Sequence, residues 1–233
     1  MHNPLTSYFF SGDTIRSRSV GDAVHFGVLE VPVPSAQLIA DWERDVLRLG
    51  LEPGDVEELP LARTRARWSD YRRCVHAMDM WVRGLGLPDL LADSSIALMA
   101  CRGAKYHHDG AQYGSAVFCN LFLSEDKDLD LHFSCTGQRI PLSRGTAVIF
   151  DTGQPHAVIR RSGMGFNGTD FAPAEDCTQV FLSWELSIDD AKVASLLGIT
   201  LDVDSATASQ LTEAQVWCNG AAALVCPHTG QLT

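Results

Sequence analysis

Residues 145–160 read GTAVIF, then DTGQ, then PHAVIR. The first and last pieces are rich in β-branched and aromatic residues, which suit a pleated, half-buried strand. Asp151-Thr-Gly-Gln between them is a tight-turn run. The stretch is therefore a hairpin, and it sets His156 at the start of the returning strand. Around it lie four runs of the same kind: SSIALMAC (94–101), SAVFCNLFL (115–123), LDLHFSC (129–135) and CTQVFLSWEL (177–186). Gly103, Gly110, Gly114, Gly137 and Gly145 punctuate them. Six short strands spaced by roughly ten residues predict a sandwich or a barrel.

The flanks read differently. Residues 23–33, AVHFGVLEVPV, form a further strand pattern. Ser35 then caps a helix whose apolar positions Ile39, Trp42, Val46 and Leu49 recur at helical spacing, with Gly50 ending it. A second helix follows Ser69, where Tyr71, Cys74, Val75, Met78, Trp81 and Val82 make one stripe. Beyond Leu186 the pattern is helical again over 188–197 and 207–217, with a small, polar tail after Cys218. No internal repeat is visible. The expected architecture is mainly β with flanking helices, in one domain spanning 1–233. Residues 1–93 support it, 94–186 form the β core, and 187–233 supply C-terminal helices.

Composition limits the partners. The 233 residues carry 18 Lys plus Arg against 29 Asp plus Glu, a formal charge of -11. So acidic a surface repels phosphate backbones, and a nucleic-acid partner is not expected. No apolar run approaches the ~20 residues of a membrane span. MHNPLTSYFF has no basic region followed by an apolar stretch. The seven Cys (74, 101, 119, 135, 177, 218, 226) follow no disulfide framework. A cytoplasmic protein with reduced thiols and a small-molecule substrate is expected. A homodimer is left open.

The chemistry gathers around Ala104-Lys-Tyr-His-His-Asp-Gly110. On a strand, side chains at i and i+2 point the same way, so His107 and Asp109 can aim one imidazole and one carboxylate at a common point. His156, on the neighbouring hairpin, adds a second imidazole. Two His and one carboxylate on a rigid β scaffold make a facial triad, which leaves metal positions open and suits non-haem Fe(II). Arg160 shares a strand face with His156 and Val158, about 13 Å from His156 at ~3.3 Å per residue. A guanidinium buried there needs an anion, and a planar dicarboxylic co-substrate meets that need.

His107-x-Asp109, then His156 on a P-H-x-V hairpin, then a basic residue, resembles the Fe(II)/2-oxoglutarate-dependent dioxygenases over residues 94–186. The resemblance implies a double-stranded β-helix, or jelly-roll, core. It implies that His107, Asp109 and His156 hold Fe(II), that 2-oxoglutarate chelates the iron, and that a basic residue binds its far carboxylate. It implies the use of O2, with succinate and CO2 released as a C–H bond is hydroxylated. Many members place that basic residue around ten positions after the second His, on the next strand. Phe166 stands there in this chain, and Thr178–Leu186 contains no Lys or Arg. Arg160 is the substitute by strand parity and Arg161 the second choice. Asn120, mid-strand among apolar residues, is a further candidate to touch the co-substrate. The halogenating branch has a small residue where Asp109 stands, so hydroxylation is expected over halogenation.

Tyr106, Tyr113 and Arg102 are candidates for the substrate pocket, and residues 161–177 for a lid. Arg63, Arg65, Arg67, Arg72 and Arg73 read as a solvated face, with an anionic-substrate site as the alternative. His108, His25, His76 and His132 read as structural. Cys218, Cys226 and His228 match no zinc spacing. The function expected is hydroxylation of a small metabolite, a free or derivatised amino acid first. The alternatives are a protein side-chain hydroxylase and a non-oxygenase, cupin-like metal-binding protein.

Overall fold

The computed structural model describes residues 5–92, 94–172 and 175–233. In chain order the elements begin with β1 (Leu5–Ser11), β2 (Thr14–Ser19), β3 (His25–Val28), α1 (Ala36–Leu49), β4 (Val56–Leu59), α2 (Leu61–Arg65) and α3 (Tyr71–Gly84). The core strands follow: β5 (Ile96–Cys101), β6 (Ala104–His107), β7 (Ala116–Phe122), β8 (Leu129–Phe133), β9 (Gln138–Pro141), β10 (Thr146–Asp151), β11 (His156–Arg160) and β12 (Gln179–Ser187). The chain ends with α4 (Ala191–Leu197), α5 (Ser205–Ala208), β13 (Gln215–Cys218) and β14 (Ala221–Ala222).

One sheet has the order β3-β10-β7-β12-β5-β4 and a second the order β6-β11-β8-β9. Every pairing is antiparallel. From β5 to β12 the chain passes back and forth between the two sheets, turning within one sheet only at β8–β9. That path is the double-stranded β-helix. Alternation assigns the two faces of the larger sheet. Cys119, Leu121, Leu182 and Trp184 face a core shared with α1 and α3, through Leu38, Trp42, Cys74, Met78 and Val82. Their strand neighbours Phe118, Asn120, Phe122, Phe181 and Ser183 face the smaller sheet.

The two long helices form where the spacing predicts. The Ser35 side chain accepts from the Leu38 N–H, and Gly50 closes α1 in the left-handed region at φ 67°. Two flanking segments differ from expectation. Residues 5–19 form a hairpin, β1–β2, whose strands carry few residues of an obvious alternating pattern. Residues 207–217 are not a helix: α5 stops at Ala208 and β13 pairs with β1, giving a separate sheet β14-β13-β1-β2. The C-terminus thus contributes one two-turn helix, one short turn of helix and two strands. The apolar spacing over 207–217 is weak, and Val216 gains more by burial beside Leu5 than a solvated helix would offer. The strand read over 23–33 is shorter, limited to β3 at the sheet edge beside β10. No helix among the described residues is long and apolar enough to cross a membrane.

Candidate metal centre

His107 ends β6 and His156 begins β11, directly opposite each other in the ladder. Their ring centroids lie 4.5 Å apart. Asp109 lies two residues past β6, so strand parity does not aim it. Its own backbone does: the Asp109 N–H donates to the Thr152 carbonyl at 2.8 Å, and its carbonyl accepts from the N–H groups of Gln112 (3.0 Å) and Tyr113 (2.7 Å). The Thr152 hydroxyl also donates to the carbonyls of Tyr113 and Ala116, both at 3.0 Å. The 109–116 segment is thereby stapled to the 151–154 turn, and that staple turns Asp109 back onto the two imidazoles. Asp109 Oδ2 stands 3.5 Å from Nε2 of His107 and 3.5 Å from Nε2 of His156.

Each imidazole is held in one orientation. His107 Nδ1 donates to the Lys105 carbonyl at 2.6 Å, and His156 Nδ1 donates to the Gln154 carbonyl at 2.9 Å. That arrangement leaves both Nε2 atoms facing Asp109, as an outer hydrogen bond does for a metal-ligating His. Ligand atoms of the three side chains lie within 4.8 Å of one another, and among the described residues they form the one such group of three. His156 is 8% exposed, Asp109 21% and His107 39%, so the group has one buried side and one open side.

Electrostatics follow from this packing. Burial, and then the charge of His107, push the His156 imidazole down to about 4. Burial pulls His107 down too, but the Asp109 carboxylate and the Lys105 carbonyl outweigh it, and its pKa lies above the ordinary imidazole value. Burial pushes Asp109 up, and its contacts with the imidazoles of His107 and His156 outweigh that, holding it below the usual carboxylate range. The group therefore combines one carboxylate, one neutral imidazole at His156 and, at His107, an imidazole whose protonated form the Asp109 carboxylate favours. Such a donor set fits a hard-to-borderline divalent ion such as Fe(II).

The turn behind the triad rests on a feature that sequence reading missed. Arg18 from β2 reaches Asp151 with both forks, at 2.5 and 2.8 Å, and both side chains are fully buried. Asp151 also accepts from the N–H groups of Gly21 (2.7 Å) and Gly153 (2.8 Å). No local pattern announces a contact across 133 positions.

The triad opens onto a cavity of about 530 Å³ between the two sheets. Asn120 and Tyr113 line it with the triad. Asn120 Oδ1 is buried and without a hydrogen-bond partner. Burial and the carboxylates of Glu185, Asp109 and Glu58 raise the Tyr113 phenol, and both glutamates also line the cavity.

Four sequence-derived site residues lie elsewhere. Tyr106 is buried with its hydroxyl on His132 Nδ1 at 2.5 Å, away from the cavity lining. Tyr106 is the strand neighbour of the cavity-lining His107, so alternation turns it to the opposite face. Arg102 is turned to the carbonyls of Phe171 (3.2 Å) and Ala172 (2.8 Å). Arg160 does follow Val158 on the cavity side of β11, but its guanidinium bends away. It donates to the carbonyls of Asp170 (2.8 Å) and Lys127 (3.2 Å), pairs with Glu175, and lies over the Phe171 ring at 5.7 Å. Arg161 meets Asp126, Asp128 and Asp130. Neither Arg160 nor Arg161 lines the cavity, because each finds carbonyls or carboxylates nearer its own backbone. Of the residues read as a lid, 173 and 174 fall outside the described ones.

No family model and no curated protein matches the chain. Among solved structures it is similar to the non-haem alpha-ketoglutarate-dependent epimerase SnoN from nogalamycin biosynthesis, at 14% identity and TM-score 0.39, covering 71% of this chain and 78% of that one. SnoN has also been solved with Fe3+, alpha-ketoglutarate and nogalamycin RO. EvdO2 from Micromonospora carbonacea, complexed with 2-oxoglutarate, is similar at 13% identity and TM-score 0.42, covering 70% of this chain and 86% of that one. A viral collagen prolyl hydroxylase from Paramecium Bursaria Chlorella virus-1 is similar at 9% identity and TM-score 0.39, covering 71% and 90%.

Proposed function

We propose that this chain is a non-haem Fe(II) dioxygenase of the 2-oxo-acid-dependent type, acting as one domain on a small metabolite. The observation that carries the reading is the triad itself: two Nε2 atoms and one carboxylate facing one point, each imidazole locked by a backbone carbonyl. His107, Asp109 and His156 would hold the ion. Bound there, Fe(II) supplies O2 activation coupled to decarboxylation of a 2-oxo acid, the chemistry that hydroxylates an unactivated C–H bond.

The chain's own residues supply the rest. The carbonyls of Lys105 and Gln154 fix the imidazoles. The ring of Phe150, 4.9 Å from that of His156, and Phe118 beyond it keep bulk water from the buried side. Glu58 and Glu185 suit the ammonium of a free or carboxyl-derivatised amino acid, the substrate class we favour.

The test is oxygen uptake by the Fe(II)-loaded protein with a 2-oxo acid, 2-oxoglutarate included, across a panel of amino acids and their amides. The reading predicts uptake matched mole for mole by CO2 and by the shortened acid, succinate when 2-oxoglutarate is used. Metal binding without any 2-oxo-acid turnover would instead support the cupin-like alternative.

A further inference from the structure

Strand register divides the larger sheet's cavity face into rungs. Glu185 lies opposite Phe118, which lies opposite Phe150. The next rung is Ser183, Asn120 and Val148, and the third is Phe181 and Phe122, with Met99 beyond Phe181. Phe150 touches His156, so the metal centre sits at the first rung. On the smaller sheet, Val158 lies two residues past His156, paired with Leu131 and Ala104. A 2-oxo acid chelating a metal at the triad and extending along β11 would lay its tail over the second and third rungs. Two residues of strand span ~6.6 Å, about the reach of a five-carbon chain.

No charge of the right sign waits there. Among the described residues no Lys or Arg lines the cavity, and apart from the triad its acidic side chains are Glu58 and Glu185. The segment 94–186 holds seven basic residues, and each is directed elsewhere. Arg102, Arg160 and Arg161 are held as described above. Arg139 donates to the carbonyls of Arg161 (3.0 Å) and Gly163 (2.6 Å), and Lys127 pairs with Asp176. Lys105 is exposed, and Arg144 lines a separate groove beside α1. The tail's surroundings are the Ser183 hydroxyl and the Asn120 amide, which are dipoles without net charge. Then come Phe122 and Phe181, with ring centroids 5.0 Å apart, and the side chains of Leu131 and Val158. A carboxylate taken from water into such a place meets no cation to replace its hydration.

We propose that the cavity binds a 2-oxo acid with an uncharged tail, branched aliphatic or aromatic, more tightly than the dicarboxylate 2-oxoglutarate. The proposal rests on the reading of the triad as the iron centre of a 2-oxo-acid-dependent enzyme. It gives that enzyme a different co-substrate tail.

Calorimetry on the Mn(II)-loaded protein tests it without turnover. The metal is titrated first, then 2-oxoglutarate, 4-methyl-2-oxopentanoate and phenylpyruvate in separate runs. The expected result is a Kd for at least one neutral-tailed acid ~10-fold or more below that of 2-oxoglutarate. Phe181→Lys puts a cation at the third rung and, separately, Leu131→Arg puts one on the facing sheet beside Val158, and either should shift the ratio toward 2-oxoglutarate. Equal or tighter binding of 2-oxoglutarate by the unaltered protein overturns the proposal and leaves the enzyme reading standing. Mn(II) binding with no response to any 2-oxo acid removes the enzyme reading, and the proposal with it.

Discussion

Arg18 and Asp151 form a bidentate ion pair, 2.5 and 2.8 Å long, with neither side chain exposed to solvent. The pair joins β2 of the N-terminal hairpin to the turn that launches His156. Arg18 also donates to the Gly114 carbonyl at 2.7 Å, on the segment that carries Asp109. One guanidinium therefore braces both halves of the triad from behind. Replacing it strands a buried carboxylate. Arg18→Met should lower unfolding free energy by about 3–5 kcal/mol, read by urea denaturation. It should also weaken metal binding. Unchanged stability would contradict this role.

The β core and the triad were legible in the sequence because both depend on local pattern. Strand alternation and Gly punctuation mark β5, β7, β8, β10, β11 and β12 but not the four-residue β6 and β9, which are too short to show a period, and the DTGQ turn alone sets His156 at a strand start. Parity gives only part of the reason for Asp109, because the Thr152 carbonyl positions it. Arg160 shows where local pattern runs out. Parity places its backbone correctly, but a long side chain goes to its nearest acceptors, here the Asp170 and Lys127 carbonyls and Glu175. The β1–β13 pairing and the Arg18–Asp151 pair span most of the chain, and nothing local encodes them.

Arg160 is accordingly a tie to Asp170, Glu175 and Cys177. Arg160→Ala should leave the affinity for every 2-oxo acid within twofold of the unaltered protein. It should cost about 1–3 kcal/mol, since carbonyls and the Cys177 thiol lose a charged donor. Calorimetry and urea unfolding read the two effects. A large loss of 2-oxo-acid affinity with unchanged stability would reinstate Arg160 as an anion clamp.

Metal affinity should depend on pH with a slope of one proton. His156, at about 4, is already neutral well above that pH, and Asp109 is already ionised. His107, with its pKa raised, holds a proton that the cation must displace. Affinity therefore falls as pH drops below the His107 pKa. Between roughly pH 4.5 and 6.5 the logarithm of the association constant should change by about one per pH unit. Competition titrations with Mn(II) measure it, and a slope of two would mean that both imidazoles start protonated.

Gly110 leaves no room for a side chain. A Cβ there would stand 2.5 Å from Val216 Cγ2 and 3.1 Å from the Gly153 backbone. Gly110→Ala must push apart β13 and the turn against which Asp109 is set. It should cost about 1–3 kcal/mol and loosen metal binding. Gly168→Ala, where nothing lies within 4 Å, is the matched control and should do neither.

Stoichiometric binding of ferrous ion under anaerobic conditions addresses the centre of the account. One ion per chain should bind, with affinity reduced at least ~100-fold in each of His107→Ala, Asp109→Ala and His156→Ala. His108→Ala should bind as the unaltered chain does, because His108 Nε2 is engaged by the Ala223 carbonyl at 3.2 Å. Full affinity retained in Asp109→Ala, or loss in His108→Ala alone, would contradict a shared ion at these three side chains.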